Sequence, residues 1–289
     1  MNKGVSTGLS PVDASGVIGA GRPREGAGVD AQGTQRAHEA LVDRFAAAGC
    51  IAPQAEAAEL VARSAGDDRL LAALARRRLI GEPLAWITGS VSFCGLKIGI
   101  DSGVYVPRPQ SEALARRAVG RLPANGVAID LCTGSGAIAR VLSVARPGAR
   151  VVASELDERA VACAAANGVE VYRGDLFAPL PGTLQGRVDV VVGVVPYVPT
   201  PEMAFLQRDT LVFESPLSYD GGRDGSEILQ RVLADAPRFL RRGGRLLLEL
   251  GGDQARALAG DLTRLGYTDL EVFVNEEGDV RGVGATRAK

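Results

Sequence analysis

The segment Ala128-Ile-Asp-Leu-Cys-Thr-Gly-Ser-Gly-Ala137 constrains the fold of this chain more than any other. An apolar run ends in a polar residue and a glycine-rich turn, and a helical pattern opens directly behind it. Such a strand–turn–helix unit presents backbone N–H groups at a helix N-terminus to an incoming ligand. The alternation then continues. Strands are expected at Val127–Leu131, Arg150–Ser154, Glu170–Tyr172, Val188–Gly193 and Arg245–Leu250, and helices at 136–145, 157–166, 226–238 and 253–264. Continuous apolar strands separated by helices indicate a parallel sheet covered on both faces. The end of the chain departs from this pattern. Leu270–Val274 and Arg281–Ala285 flank Asn275-Glu-Glu-Gly-Asp279, a hairpin signal. An α/β sheet that finishes with an antiparallel hairpin is not the plain dinucleotide-binding order.

Upstream, residues 1–33 are rich in Gly, Ser, Ala and Pro without an apolar period, and read as a disordered tail. Thr34 is placed to cap a helix carrying Ala37, Leu41, Phe45 and Ala48, which Gly49 ends. Pro53 starts a second helix with Ala57, Leu60, Val61 and Ser64 on one face, closed by Gly66. A third runs from Asp67 through Leu70, Leu71 and Leu74 to Arg78. These helices form a small domain over 34–80. The linker 81–112 contains a hairpin, Phe93-Cys-Gly-Leu-Lys-Ile-Gly-Ile100, and a further short strand, Val104-Tyr-Val106. Pro107-Arg-Pro-Gln-Ser-Glu112 is a rigid connection into a helix from Ser111, with Leu114, Ala118 and Leu122 on its inner side. The α/β domain occupies 113–289.

Composition excludes several classes. The net charge of −1 leaves no electrostatic footprint for non-specific nucleic-acid binding, and direct binding of nucleic acid is not expected. No apolar run reaches the roughly 18 residues of a membrane span. The N-terminus has no compact apolar stretch behind basic residues, so a cytoplasmic protein without a membrane partner is expected. Cys50, Cys94, Cys132 and Cys163 are scattered, with no CxxC pair, which argues for reduced thiols and against a metal site. His38 is the only histidine, in a helix beside the tail, so a histidine-based nucleophilic mechanism has no support.

Thr133-Gly-Ser-Gly136 sits between the first strand of the sheet and its helix. Asp130, at the strand end, is placed to fix the loop or to accept from an amino group. Glu155 ends the second strand, 19 positions after Gly136, where a carboxylate can accept both hydroxyls of a ribose. Asp175, in Gly174-Asp-Leu-Phe177, ends the third strand region, where it is placed to approach an adenine edge. Gly134-Ser-Gly136-Ala-Ile-Ala139 also satisfies G-x-G-x-x-A, so the glycine loop by itself leaves a nicotinamide enzyme open.

Further landmarks occur in order: Gly81-Glu-Pro-Leu-Ala-Trp-Ile-Thr-Gly89, Val106-Pro-Arg-Pro-Gln-Ser-Glu112, Asp130-Leu-Cys-Thr-Gly-Ser-Gly136, Pro196-Tyr197 and Asp220-Gly-Gly-Arg-Asp-Gly225. On these segments the chain from Gly81 to Lys289 resembles the HemK-type protein-(glutamine-N5) methyltransferases. Its N-terminal helices are similar to that family's small substrate-recognition domain. The resemblance implies a seven-stranded Rossmann-like methyltransferase sheet, S-adenosylmethionine as cofactor, and a protein glutamine as methyl acceptor, on a release-factor-like or ribosomal protein. It also implies that the loop Cys132, Thr133, Gly134, Ser135 and Gly136, with Glu155, holds the amino-acid and ribose parts of the cofactor. Leu176 then lies against the adenine. Cys132 replaces the usual first glycine of the loop.

The reacting site departs from the family. There, an Asn-Pro-Pro-Tyr motif follows the fourth strand. The Asn oxygen and a backbone carbonyl accept the two amide hydrogens of the substrate, and the Tyr packs on the planar amide. Here the segment is Val194-Val-Pro-Tyr197. Pro196 and Tyr197 match, whereas Val194 has no side-chain acceptor. Loss of a comparable oriented polar group costs roughly 3–4 kcal/mol. The backbone carbonyls of Val194 and Val195 are the acceptors left. Three readings stay open: a weak glutamine methyltransferase, a methyltransferase for a small molecule or another side chain, and a cofactor-binding protein without catalysis. Arg108 and Glu112 read either as an ion pair bracing the hairpin or as part of a substrate channel. Asp220-Gly-Gly222 and Asp224-Gly225 read as turn chemistry.

Overall fold

The computed structural model describes residues 31–206 and 212–289. Of the segment expected as a disordered tail, residues 1–30 lie outside the described residues. Three helices open the described chain: α1 (Ala31–Ala47), α2 (Pro53–Ser64) and α3 (Asp68–Leu79). The first begins ahead of Thr34, so that residue lies within the helix and is not its cap. Asp67 caps α3, its carboxylate accepting from the N–H groups of Arg69 and Leu70 at 2.9 and 3.0 Å. Phe45, Ala57, Leu60 and Leu74 bury themselves together, joined by Ile87 from the short helix α4 (Leu84–Thr88). Leu70, one of the apolar residues of α3, is 41% exposed. Leu71 and Leu74, three apart and therefore on one side of the helix, take the inner face.

A hairpin follows, β1 (Ser90–Phe93) and β2 (Leu96–Gly99). Cys94 and Gly95 both adopt left-handed φ, +48° and +76°, the geometry that lets a two-residue turn follow the twist of its strands. Phe93, Ile98 and Ile100 pack with Leu114, Ala118 and Ile138, so the hairpin is part of the apolar interior next to the sheet. Val104–Val106 does not form the expected strand. Both valines are buried, but the N–H of Val106 donates to the Glu214 carboxylate at 3.0 Å instead of entering a ladder.

Behind helix α5 (Glu112–Arg121) lies a seven-stranded sheet. Its strands are β3 (Val127–Leu131), β4 (Arg150–Glu155), β5 (Glu170–Arg173), β6 (Val188–Gly193), β7 (Leu240–Glu249), β8 (Tyr267–Val274) and β9 (Val280–Arg287). The order is β5-β4-β3-β6-β7-β9-β8. The first five are parallel, and β9 runs antiparallel to both β7 and β8. Helices α6 (Ala137–Ala145), α7 (Glu158–Ala166), α8 (Glu227–Phe239) and α9 (Gln254–Arg264) flank the sheet. Successive residues point to opposite faces. Thus Ile129, Leu131 and Val191 pack with Leu229 and Leu233, while Ala128, Val190 and Val192 pack with Ile138 and Leu142. The architecture is the α/β methyltransferase sheet with a terminal antiparallel hairpin.

β7 begins at Leu240 and not at Arg245. Val188 pairs with Leu240 and Val190 with Arg245, so Arg241–Gly244 bulges between them, with Gly243 at φ +73°. The Gly-Gly pair reads as a loop in sequence because a bulge and a loop use the same residue type. The chain order reverses between β3 and β6, which opens a crevice at their carboxyl ends. No helix among the described residues is long and apolar enough to cross a membrane.

Candidate active site

The glycine loop is braced from below. Asp130, at the end of β3, is 1% exposed. One of its oxygens accepts from the Thr133 hydroxyl at 2.6 Å and from the N–H of Ala139, in the first turn of α6, at 3.0 Å. Burial raises the pKa of this carboxyl to about 7, against the lowering effect of those two hydrogen bonds. Glu155, at the end of β4, ties the loop from the side. One oxygen accepts from the N–H of Gly134 at 2.8 Å, and the other from the N–H groups of Leu156 and Asp157 at 2.8 and 3.0 Å. The carboxylate is thereby fixed, and the oxygen that accepts from Gly134 keeps a lone pair for a further donor.

The two glycines of the loop act differently. Gly134 has φ +57° and nothing within 4 Å of the position a Cβ would take, so its open face is toward the crevice. Gly136 faces inward. A Cβ there would stand 2.7 Å from Val169 and 3.2 Å from Ala164, so its role is close packing of the loop on α7. Cys132 also adopts a left-handed conformation, at φ +52°, where glycine is the unstrained residue. Burial, and then the charge of Glu155, push its thiol up, which keeps it from acting as a thiolate.

Above the loop lies a cavity of about 250 Å³. Cys132, Gly134, Glu155, Asp175, Leu176, Val194 and Pro196 line it together. Asp130, Thr133 and Ser135 line instead a smaller adjoining cavity behind the loop, of about 40 Å³. Gly136 and Tyr197 are not among the lining residues of either. Leu176 is buried and left-handed at φ +46°, a second strained residue on the cavity wall. Asp175 is exposed, and Arg231 of α8 donates to it at 2.5 Å.

Tyr197 is half-buried behind the cavity wall. Its hydroxyl donates to Glu249, at the end of β7, at 3.2 Å, and its carbonyl accepts from the Gln254 amide at 2.8 Å. Burial and the neighbouring Glu249 charge push the phenol up, so it stays protonated. The glycines of Asp220–Gly225 hold this segment. The Val198 N–H donates to the Tyr219 carbonyl at 2.9 Å, and the Gly221 N–H donates to the Val198 carbonyl at 2.8 Å. A Cβ on Gly221 would stand 2.7 Å from Tyr197 Cα. The loop that reads as turn chemistry is therefore a mould for the Pro196-Tyr197 backbone.

Arg108 and Glu112 do not pair. Arg108 donates to Glu214 at 2.6 Å and to the Tyr219 hydroxyl at 2.9 Å, while Glu112 accepts from Arg116 at 2.9 Å and from the Cys94 N–H at 2.9 Å. The i, i+4 neighbour on α5 outcompetes a residue across the proline turn. Sequence reasoning missed four cavity residues of chemical interest: Tyr105, Ser154, Asp157 and Arg231. No local motif marks Tyr105 or Arg231. Ser154 and Asp157 flank Glu155 and were within reach of its signal.

The set fits S-adenosylmethionine. Ser154 Oγ is buried without a partner among the described residues and belongs to the cavity wall. Gly134 leaves an open cradle above its backbone, and fixed carboxylates stand at the ends of β4 and β5. Among the described residues no group of His, Cys, Asp and Glu forms a metal cluster.

The chain is similar to proteins named release factor glutamine methyltransferase. That of Geobacter sulfurreducens is 35% identical over 217 residues, covering 73% of this chain and 75% of the relative. That of Mycolicibacterium smegmatis is 35% identical over 275 residues, covering 86% and 96%. No family model matches. Among solved structures, a methyltransferase from Pyrococcus furiosus aligns with a TM-score of 0.52 at 20% identity, covering 74% of this chain and 98% of that one. The E. cuniculi Mtq2–Trm112 complex, described as methylating the eRF1 termination factor, aligns with a TM-score of 0.50 at 22% identity, covering 65% and 99%. These two share the fold.

Proposed function

This chain belongs to the release factor glutamine methyltransferase family, and we propose that it methylates N5 of a glutamine in a bacterial release factor, using S-adenosylmethionine. The observation that carries the reading is the single cavity on which the Gly134 cradle, Glu155 and the Val194–Pro196 strand end converge. A cofactor held by the first two would have its reactive end toward the third. Bound there, S-adenosylmethionine supplies an electrophilic methyl group.

Each residue then has a role. Backbone N–H groups of the Cys132–Gly136 loop, with Thr133 and Ser135 behind it, take the amino-acid part. Asp130 keeps the loop in shape through Thr133 and Ala139. Glu155 accepts the ribose hydroxyls while its backbone bonds hold it still. Leu176 packs on the adenine, and Asp175, shared with Arg231, faces its edge. Pro196 shapes the entry for the acceptor. Tyr197, steered by Glu249 and Gln254, stands behind the cavity wall and holds the Pro196 backbone in place. No strong base is needed, because positioning and polarisation carry most of the effect. The helices from Thr34 to Ile80 serve as the docking element for the release factor, and the reaction takes place in the cytoplasm.

Incubation with labelled S-adenosylmethionine and a purified release factor, followed by mass spectrometry of the tryptic peptides, tests the assignment. A methyl group on a glutamine side chain is the expected result. Label on a different residue type, or on a small molecule only, refutes the acceptor.

A further inference from the structure

The main cavity meets the small cavity behind the glycine loop, and four residues line both: Tyr105, Cys132, Gly134 and Val194. Val194 presents only methyl groups. Gly134 has no side chain, and Cys132 belongs to the strained loop. Tyr105 is the only one of the four with a hydroxyl. The other polar residues of the main cavity, Ser218 and Asp220 among them, do not line the small cavity.

The Tyr105 ring is held on several sides. The ring of Tyr219 meets it edge-on at 5.6 Å between centroids, and the Arg108 guanidinium stands 5.1 Å from its centre. Arg108 is itself anchored on the buried Glu214, which also receives the Tyr219 hydroxyl. The backbone is pinned on either side. The Val104 carbonyl accepts the Trp86 indole N–H at 2.9 Å, and the Val106 N–H donates to Glu214 at 3.0 Å. A ring fixed in this way loses little entropy when a substrate arrives.

We propose that Tyr105 is a catalytic residue, its phenol oxygen accepting an N–H of the acceptor amide at the point where the Val194 side chain cannot. This rests on the glutamine assignment above. The amide nitrogen is a poor nucleophile because its lone pair is shared with the carbonyl. An oxygen that accepts one N–H returns electron density to nitrogen and turns the amide plane. Nitrogen then gains a bond to the methyl carbon, the carbon–sulfur bond breaks with its pair going to sulfur, and one nitrogen proton passes to water. Burial raises the Tyr105 pKa to about 12, so the phenol remains neutral at physiological pH.

Methyl transfer to a purified release factor, with S-adenosylmethionine affinity measured in parallel by calorimetry, tests this. Tyr105→Phe keeps the ring and its packing. It should lower kcat about tenfold, the size of one lost hydrogen bond, with KM for the release factor and Kd for S-adenosylmethionine unchanged. Adding Val194→Asn to Tyr105→Phe should restore most of the loss. A Tyr105→Phe variant with native kcat overturns the proposal, as does a loss that appears in Kd. If the native chain is inactive and Val194→Asn alone creates activity, Tyr105 does not supply the acceptor, and the glutamine assignment fails for the native chain as well. If neither form acts on a release factor, the glutamine assignment fails, and the role given to Tyr105 fails with it.

Discussion

Val194 and Tyr197 leave the end of β6 close together in sequence but meet different surroundings. Val194 faces the cavity, and Tyr197 is tied to Glu249 behind it. Substituting Val194→Asn should therefore raise turnover on glutamine severalfold and leave cofactor affinity nearly unchanged, because the added oxygen acts on the polarised amide. Steady-state kinetics beside calorimetry separates the two, and a change confined to Kd would refute the placement. Glu155→Ala removes a carboxylate that accepts three backbone N–H groups. Weaker cofactor binding by about 1–3 kcal/mol is expected, with a lower melting temperature, and an unchanged affinity would remove Glu155 from the site. Asp130 sets a pH dependence. Its folded pKa of about 7 lies above the ordinary carboxylate value, so the folded state binds a proton more readily than the unfolded one. Stability from this group is full below about pH 4 and falls as pH rises toward 7. Asp130→Asn retains an oxygen for Thr133 and Ala139, so the pH slope of unfolding should flatten in the variant. Denaturant unfolding at pH 5 and pH 8 reads the difference, and equal slopes would refute it. The loop and Glu155 were legible in the sequence because they are local to one strand–turn–helix unit. Tyr105 and Arg231 were not, because they reach the cavity only through tertiary packing.

Elements show the same division. The parallel strands were legible because each is an apolar run, buried on both faces. The first residues of β7 were hidden behind Arg241–Gly244, and Val104–Val106 looked like a strand because its alternation matches one. What separates Val104–Val106 from a strand is the partner of the Val106 N–H, a carboxylate 108 positions away. The Asp220–Gly225 loop is a further case, a turn by composition and a mould for Tyr197 by position. Gly225 has φ +76°, and a Cβ there would press on the Tyr197 carbonyl and stand 2.6 Å from Gln254 Nε2. Gly225→Ala should lower turnover more than it lowers cofactor affinity, at a cost in stability of about 1–3 kcal/mol. Native turnover in a folded Gly225→Ala variant would show that Tyr197 needs no such support.

On the scale of the whole chain, the helical segment and the sheet are joined through α4 and the hairpin. Ile87 packs with Phe45 and Leu60, whereas Ala85 and Trp86, on the same short helix, pack with Phe93, Ile98 and Leu114. The segment 81–112 reads as a linker because its composition is that of turns and short strands. In the fold it carries side chains of both apolar clusters, a property that depends on where α5 and α6 come to rest. Trp86 is the only tryptophan, its indole N–H bonded to Val104 and its ring edge-on to Phe213 at 6.0 Å. Its fluorescence therefore reports on the junction, while far-UV circular dichroism reports on the sheet and helices. Phe93 is 1% exposed. Phe93→Ala should destabilise the protein by about 3–5 kcal/mol, the range for truncating a buried aromatic residue. Because the hairpin shares its interior with α5 and α6, both signals should shift together along the denaturant axis, as one cooperative transition. A fluorescence transition that moves to lower denaturant while the dichroism transition stays in place would show that the junction unfolds separately. The acceptor wall built on Tyr105, which follows the hairpin in the chain, would then owe its rigidity to Glu214 and Arg108 alone.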